Sequence, residues 1–115
     1  QLLGTPSYAA PEQVVAVGPG GGEVGPAADV YALGAVLYHL LTGRPPFRAP
    51  LPLETLLHVL HRDPVPPSKL SPKVPRDLET VCLFCLNKRP DRRYPSAEAL
   101  ADDLRRFLDG KPVRA

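Results

Sequence analysis

Residues 27–41 read Ala-Ala-Asp-Val-Tyr-Ala-Leu-Gly-Ala-Val-Leu-Tyr-His-Leu-Leu. Asp29, Tyr31, Tyr38 and His39 are the only ionisable side chains in this run, and its apolar residues fall on every face of a helix instead of along one stripe. A helix apolar all round has to be enclosed by other protein or by lipid. The run is too short for a bilayer span of roughly 18–20 residues and carries Asp29 near its start, so enclosure by protein is the reading. Thr42-Gly43 followed by Pro45-Pro46 supplies the stop. The spacing predicts one central helix over 27–41, around which the rest of the chain is arranged.

Working outward, Pro11 and Glu12 suit the first turn of a short helix that ends near the glycines at 18–22, because Pro loses nothing at the first position and an early acid favours the dipole. Gly18–Gly25 reads as a loop. Downstream, Leu53, Leu56, Leu57 and Leu60 repeat at helical spacing and predict a sticky face on a helix over 53–61. Prolines at 64, 66, 67, 72 and 75 predict a stiff extended connection over 63–75. Leu78, Val81, Cys82, Cys85 and Leu86 line one face of a helix over 76–87. Ser96 is the expected N-cap of a last helix turning Ala97, Leu100, Ala101, Leu104 and Leu108 inward, closed by Gly110 and Pro112. No segment alternates with period two, so the expected fold class is all-α.

The 115 residues hold 9 Gly and 16 Pro, which argues for short, punctuated helices. Leu, Val and Phe make up about 28 per cent of the chain, enough for a packed core. One domain or part of one is expected at this length. Met is absent, position 1 included, which predicts a start inside a longer protein or after a processing event, with a fragment the expected reading. The net charge of +2, with its basic excess confined to 88–115, is too weak for a nucleic-acid footprint. Two cysteines make no disulfide scaffold and point to a reducing cytoplasm.

Several strings resemble chemistry without its setting. Gly20–Gly25 spells a phosphate-loop pattern but lies between two expected helices, whereas such loops follow a strand. His61-Arg62-Asp63 spells the core of a phosphoryl-transfer catalytic loop but runs straight into Pro64 and lacks the Asn that should follow. Cys82-x-x-Cys85 with His58-x-x-His61 could offer four zinc ligands, yet both cysteines fall on the apolar face of their helix and read as core. The carboxylates of Asp102 and Asp103 are expected on a solvated face. No catalytic residue is expected within this chain, and no resident metal.

Gly4-Thr5-Pro6-Ser7-Tyr8-Ala9-Ala10-Pro11-Glu12, then Asp29–Gly34, then the Gly43–Phe47 turn and Arg93, occur in this order. Together they resemble the part of a eukaryotic-type Ser/Thr protein kinase, of bacterial style, that runs from the end of the activation segment to the last helix. Bacterial members of this kind are often membrane-tethered. The resemblance implies a partial helical C-lobe of a protein-kinase-like fold over 1–110, with 111–115 beginning a C-terminal linker. It implies that Gly4, Thr5, Pro6 and Tyr8 form the substrate-facing edge, with Thr5 beside the chemistry. Glu12 would pair with Arg93 as a structural ion pair, and Asp29 would be a structural carboxylate receiving amides of a catalytic loop that is not among these residues.

The parent reaction so implied is transfer of the ATP γ-phosphoryl to Ser or Thr of a protein, with ATP and Mg as cofactors of the parent and none bound by this piece. A glycine loop with its Lys, the catalytic loop and Asp-Phe-Gly are all missing from the 115 residues, so the piece alone is expected to be inactive. Its expected partners are a protein or peptide substrate and the remainder of the kinase domain, with no nucleic acid and no direct membrane contact. Two alternatives from other classes are a free-standing helical interaction module kept from a kinase, and a zinc-binding helical protein.

Overall fold

A computed structural model describes residues 6–16 and 25–115. Six helices follow in order: α1 (Pro11–Ala16), α2 (Pro26–Thr42), α3 (Pro52–His61), α4 (Pro67–Leu70), α5 (Arg76–Cys85) and α6 (Ala97–Leu108). Two 3-10 turns, Pro6–Tyr8 and Pro90–Arg92, precede α1 and α6. No strand occurs among the described residues.

Local chemistry sets the boundaries. Pro at the first helical position opens α2, α3 and α4, where its missing N–H costs no bond. Gly43 ends α2 in the left-handed region at φ 84°, its amide donating to the His39 carbonyl at 2.8 Å. A side chain there would be strained, which is why the stop is a glycine. Ser96 caps α6 as expected, its Oγ accepting the Ala99 amide at 3.1 Å.

The long helix α2 is the hub. It packs most extensively on α5 and also meets α4, α6 and both 3-10 turns. On one side Ala28, Tyr31, Ala35 and Tyr38 join Ala10, Cys82 and Leu86 in a buried cluster. On another, Val30 joins Val81, Cys85, Tyr94 and Leu100. Gly34 lets α5 approach most closely: a Cβ at Gly34 would stand 2.3 Å from the Cβ of Cys85. On the third side Leu33 and Leu40 are 45 % and 78 % exposed, so among the described residues the expected all-round enclosure of α2 is only partly supplied.

Three expectations are corrected. The 63–75 connection is not extended throughout, since α4 forms inside it, its Ser68 amide held by Glu79 Oε2 at 2.6 Å. Burial on α3 falls on Thr55 and Val59, while Leu53 and Leu57 of the leucine stripe are exposed. Thr55 is usable inside because its hydroxyl accepts the Ala49 amide at 3.0 Å and faces the Leu51 carbonyl. On α6, Ala97 and Leu108 are exposed and Asp103 is completely buried, the reverse of the solvated face expected for it. In residues 111–115, Val113 and Ala115 pack on the second cluster, and the Arg114 and Ala115 amides donate to Asp103 at 2.8 and 3.0 Å.

Candidate functional site

The expected substrate-facing edge begins where the described residues begin. Gly4 and Thr5 lie outside them, while Pro6 and Tyr8 occupy the first 3-10 turn. This turn rests on α2 and α3. Tyr8 stacks flat on His39, with ring planes 2° apart, and its hydroxyl shares a hydrogen bond with His39 Nδ1. The turn is thereby fastened to the hub helix by a polar contact as well as by packing. Nothing in the sequence reading paired these residues; their 31-residue separation hides the contact.

Immediately after the turn, the Gln13 side chain accepts the Ala10 amide at 2.8 Å and orders the start of α1. That places Glu12 against Arg93. Nη1 donates to Glu12 Oε2 at 2.7 Å and Nη2 to Oε1 at 2.9 Å, a bidentate pair. The Arg93 side chain is wholly buried and that of Glu12 is 19 % exposed. The remaining guanidinium donors go to the carbonyls of Ala27, Asn87 and Lys88 at 2.9, 2.7 and 3.4 Å. All five N–H groups of the fork are therefore used, the condition under which a buried charge is tolerable. The carbonyls come from α2 and from the chain after α5, so one side chain ties both of these to α1.

Arg93 also sits 5.0 Å from the centre of the Tyr31 ring, a cation–π contact. The Tyr31 hydroxyl is buried and makes no hydrogen bond, and burial holds its proton far more firmly than usual. Asp29, expected to gather backbone amides, is exposed in the first turn of α2. Arg89 finds an acid at Asp91, 3.0 Å away, but both side chains are about two-thirds exposed, and such pairs add little.

The second polar centre, around Asp103, was not legible as one. Its carboxylate accepts the Tyr94 hydroxyl at 2.6 Å and Arg106 at 2.8 Å, besides the two tail amides. Burial alone would raise its pKa; these hydrogen bonds outweigh that and hold it below the usual Asp value. The same contact, added to burial, pushes the Tyr94 hydroxyl up. A signal did exist in the sequence: Asp103 stands three residues after Leu100, one turn along the buried stripe.

Cys82 and Cys85 are buried core residues, with burial pushing both thiols up to about 12. Cys82 Sγ faces the Gly34 carbonyl at 3.5 Å, where Cys85 closes the α2–α5 contact. Among the described residues no group of three or more His, Cys, Asp or Glu is placed to hold a metal ion. His61-Arg62-Asp63 lies exposed at and beyond the end of α3.

The turn, the Glu12–Arg93 pair and the hub helix compose the lower helical part of a kinase fold, and the chain belongs to the protein kinase domain family, whose sequence model matches residues 1–104. It is 39 % identical over 114 residues to Serine/threonine-protein kinase PknB of Mycobacterium tuberculosis, covering 99 % of this chain and 17 % of that protein. It is 44 % identical over 115 residues to Serine/threonine-protein kinase PkaA of Streptomyces coelicolor, covering 100 % of this chain and 19 % of the relative. The twitchin kinase region from C. elegans superposes with a TM-score of 0.76 at 25 % identity, covering 86 % of this chain and 16 % of that one. The fold is a partial helical C-lobe. This chain spans less than a fifth of the length of the curated relatives it matches. No helix among the described residues is long and apolar enough to cross a membrane.

Proposed function

We propose that this chain is the substrate-docking and scaffolding part of a Ser/Thr protein kinase whose complete form transfers the ATP γ-phosphoryl, with Mg, to Ser or Thr of proteins in the cytoplasm. The observation that carries this reading is the bidentate Glu12–Arg93 pair, which anchors the segment after Gly4–Tyr8 to the loop before α6. Gly4, Thr5, Pro6 and Tyr8 form the edge that receives the substrate, and Tyr8 is steadied there by His39. Asp29, exposed at the start of α2, is left free to accept amides from the rest of the kinase domain. Phosphoryl transfer depends on positioning and on charge stabilisation around the phosphates, so residues 1–115 alone should transfer nothing. The test is γ-labelled ATP with Mg and a Ser/Thr protein substrate. Label transferred by the full-length protein, lost on Thr5→Ala and absent with 1–115 alone, supports the reading; transfer to Tyr alone, or none by the full-length protein, rejects it.

A further inference from the structure

The α2–α3 connection and the C-terminal end of α3 enclose a hollow of about 400 Å³ that none of the site residues above enters. Arg44, Arg48, His58 and Arg62 line it, against the single acid Asp63. Arg44, Arg48 and Arg62 are exposed, and among the described residues none has a carboxylate within salt-bridge distance. Asp63 in turn acts on the ammonium of Lys88, which lies 4.7 Å from the centre of the Phe47 ring on the floor of the hollow. The local balance is therefore cationic even with His58 neutral.

Two further features bear on what enters. The C-terminal end of a helix carries roughly half a negative charge, which disfavours anions. Here two of the last carbonyls of α3 are already taken, that of His58 by the Arg62 amide and that of Val59 by Lys88 Nζ at 2.7 Å, so the unpaired guanidiniums prevail. The walls are also fixed before any ligand arrives: the Arg44 amide donates to Thr42 Oγ1 at 3.3 Å, and the Tyr38 hydroxyl donates to the Val65 carbonyl at 2.7 Å. Preset walls lower the ordering cost of binding. Val65, also in the lining, presents exposed apolar surface beside the cations.

We propose that this hollow docks an acidic peptide segment of a partner protein, with Glu or Asp carboxylates on Arg44, Arg48 and Arg62 and an apolar side chain against Val65. Planar guanidiniums hold carboxylates two-pronged, and three of them beside the exposed apolar Val65 suit a peptide that carries both acids and apolar side chains. The inference goes beyond the function proposed above and does not need it, because binding is read without ATP.

The probe is a short fluorescein-labelled peptide of Glu, Leu and Gly, titrated by anisotropy into the full-length protein. Arg48→Glu with Arg62→Glu should weaken binding about tenfold or more, and the milder Arg48→Gln with Arg62→Gln should weaken it less. Binding should fall with added salt. A peptide with Lys in place of Glu should bind the double Glu variant better than the original protein does, which a merely structural role for these arginines would not produce. Equal binding of the Glu and Lys peptides, no effect of either double variant, or binding shown only by a phosphoserine peptide would overturn the proposal.

Discussion

The guanidinium of Arg93 grips both oxygens of Glu12 across 81 residues of chain while its other three donors end on backbone carbonyls. Removing either partner leaves the other buried or nearly so. Arg93→Ala should destabilise the full-length protein by about 3–5 kcal/mol. Arg93→Lys keeps the charge but cannot reproduce the five-donor fork, so it should recover only part of that loss. Urea melts of the two variants check the order; a fully stable Arg93→Lys would show that charge alone matters.

Asp103 makes the fold acid-sensitive at one identifiable place. Its carboxyl is held below the ordinary Asp range by Tyr94, Arg106 and the Arg114 and Ala115 amides, against the opposing effect of burial. A lowered pKa in the fold means that the stabilisation is complete above the unfolded value, about 4, and fades as pH falls through the folded one. Asp103→Asn turns an amide donor toward a ring of donors and should cost about 1.5–3 kcal/mol at neutral pH. The gap between wild type and Asp103→Asn should narrow on acidification. Thermal melts at neutral pH and at about pH 3 measure it, and a gap independent of pH would remove Asp103 as the titrating group.

Gly34 meets Cys85 backbone-to-Cβ, so neither side can swing away. Gly34→Ala should destabilise by about 1–3 kcal/mol or more through overpacking. The clash is with the Cβ itself. Cys85→Ala should therefore give no relief in the double variant, whereas Cys85→Gly should restore part of the loss despite its helix cost of about 1 kcal/mol. Relief by Cys85→Ala in denaturant melts would instead place the conflict at the sulfur.

How much of this was readable beforehand varied with the length of the pattern. The hub helix was legible because fifteen consecutive residues carried few polar side chains and the glycine stop followed. Ser96 was legible because capping is a local hydrogen bond. Thr55 and Asp103 were not, because periodicity ranks residues by polarity, and a polar side chain goes inside when its partners, here an amide six residues earlier and a tyrosine nine residues earlier, arrive from outside its own helix. α4 was hidden by its four-residue length and by prolines that read as extended chain. The Glu12–Arg93 pairing came from the family resemblance alone, since no local rule connects positions 81 apart.

The bare side of α2 governs how residues 1–115 should behave alone. Leu33, Val36 and Leu40 follow one another at helical spacing, all exposed, beside an apolar hollow of about 270 Å³ shared with Leu100 and Leu104 of α6. Contiguous apolar surface of this kind drives association in water. The 115-residue polypeptide should therefore self-associate as its concentration rises and bind a hydrophobic dye. Leu40→Glu with Val36→Glu places two repelling charges on the face without touching either buried cluster, so association should fall while helix content stays. Light scattering coupled to size exclusion reads the first outcome and circular dichroism the second. A polypeptide that is monomeric at every concentration and melts in one cooperative step would show that two covered sides suffice for the hub.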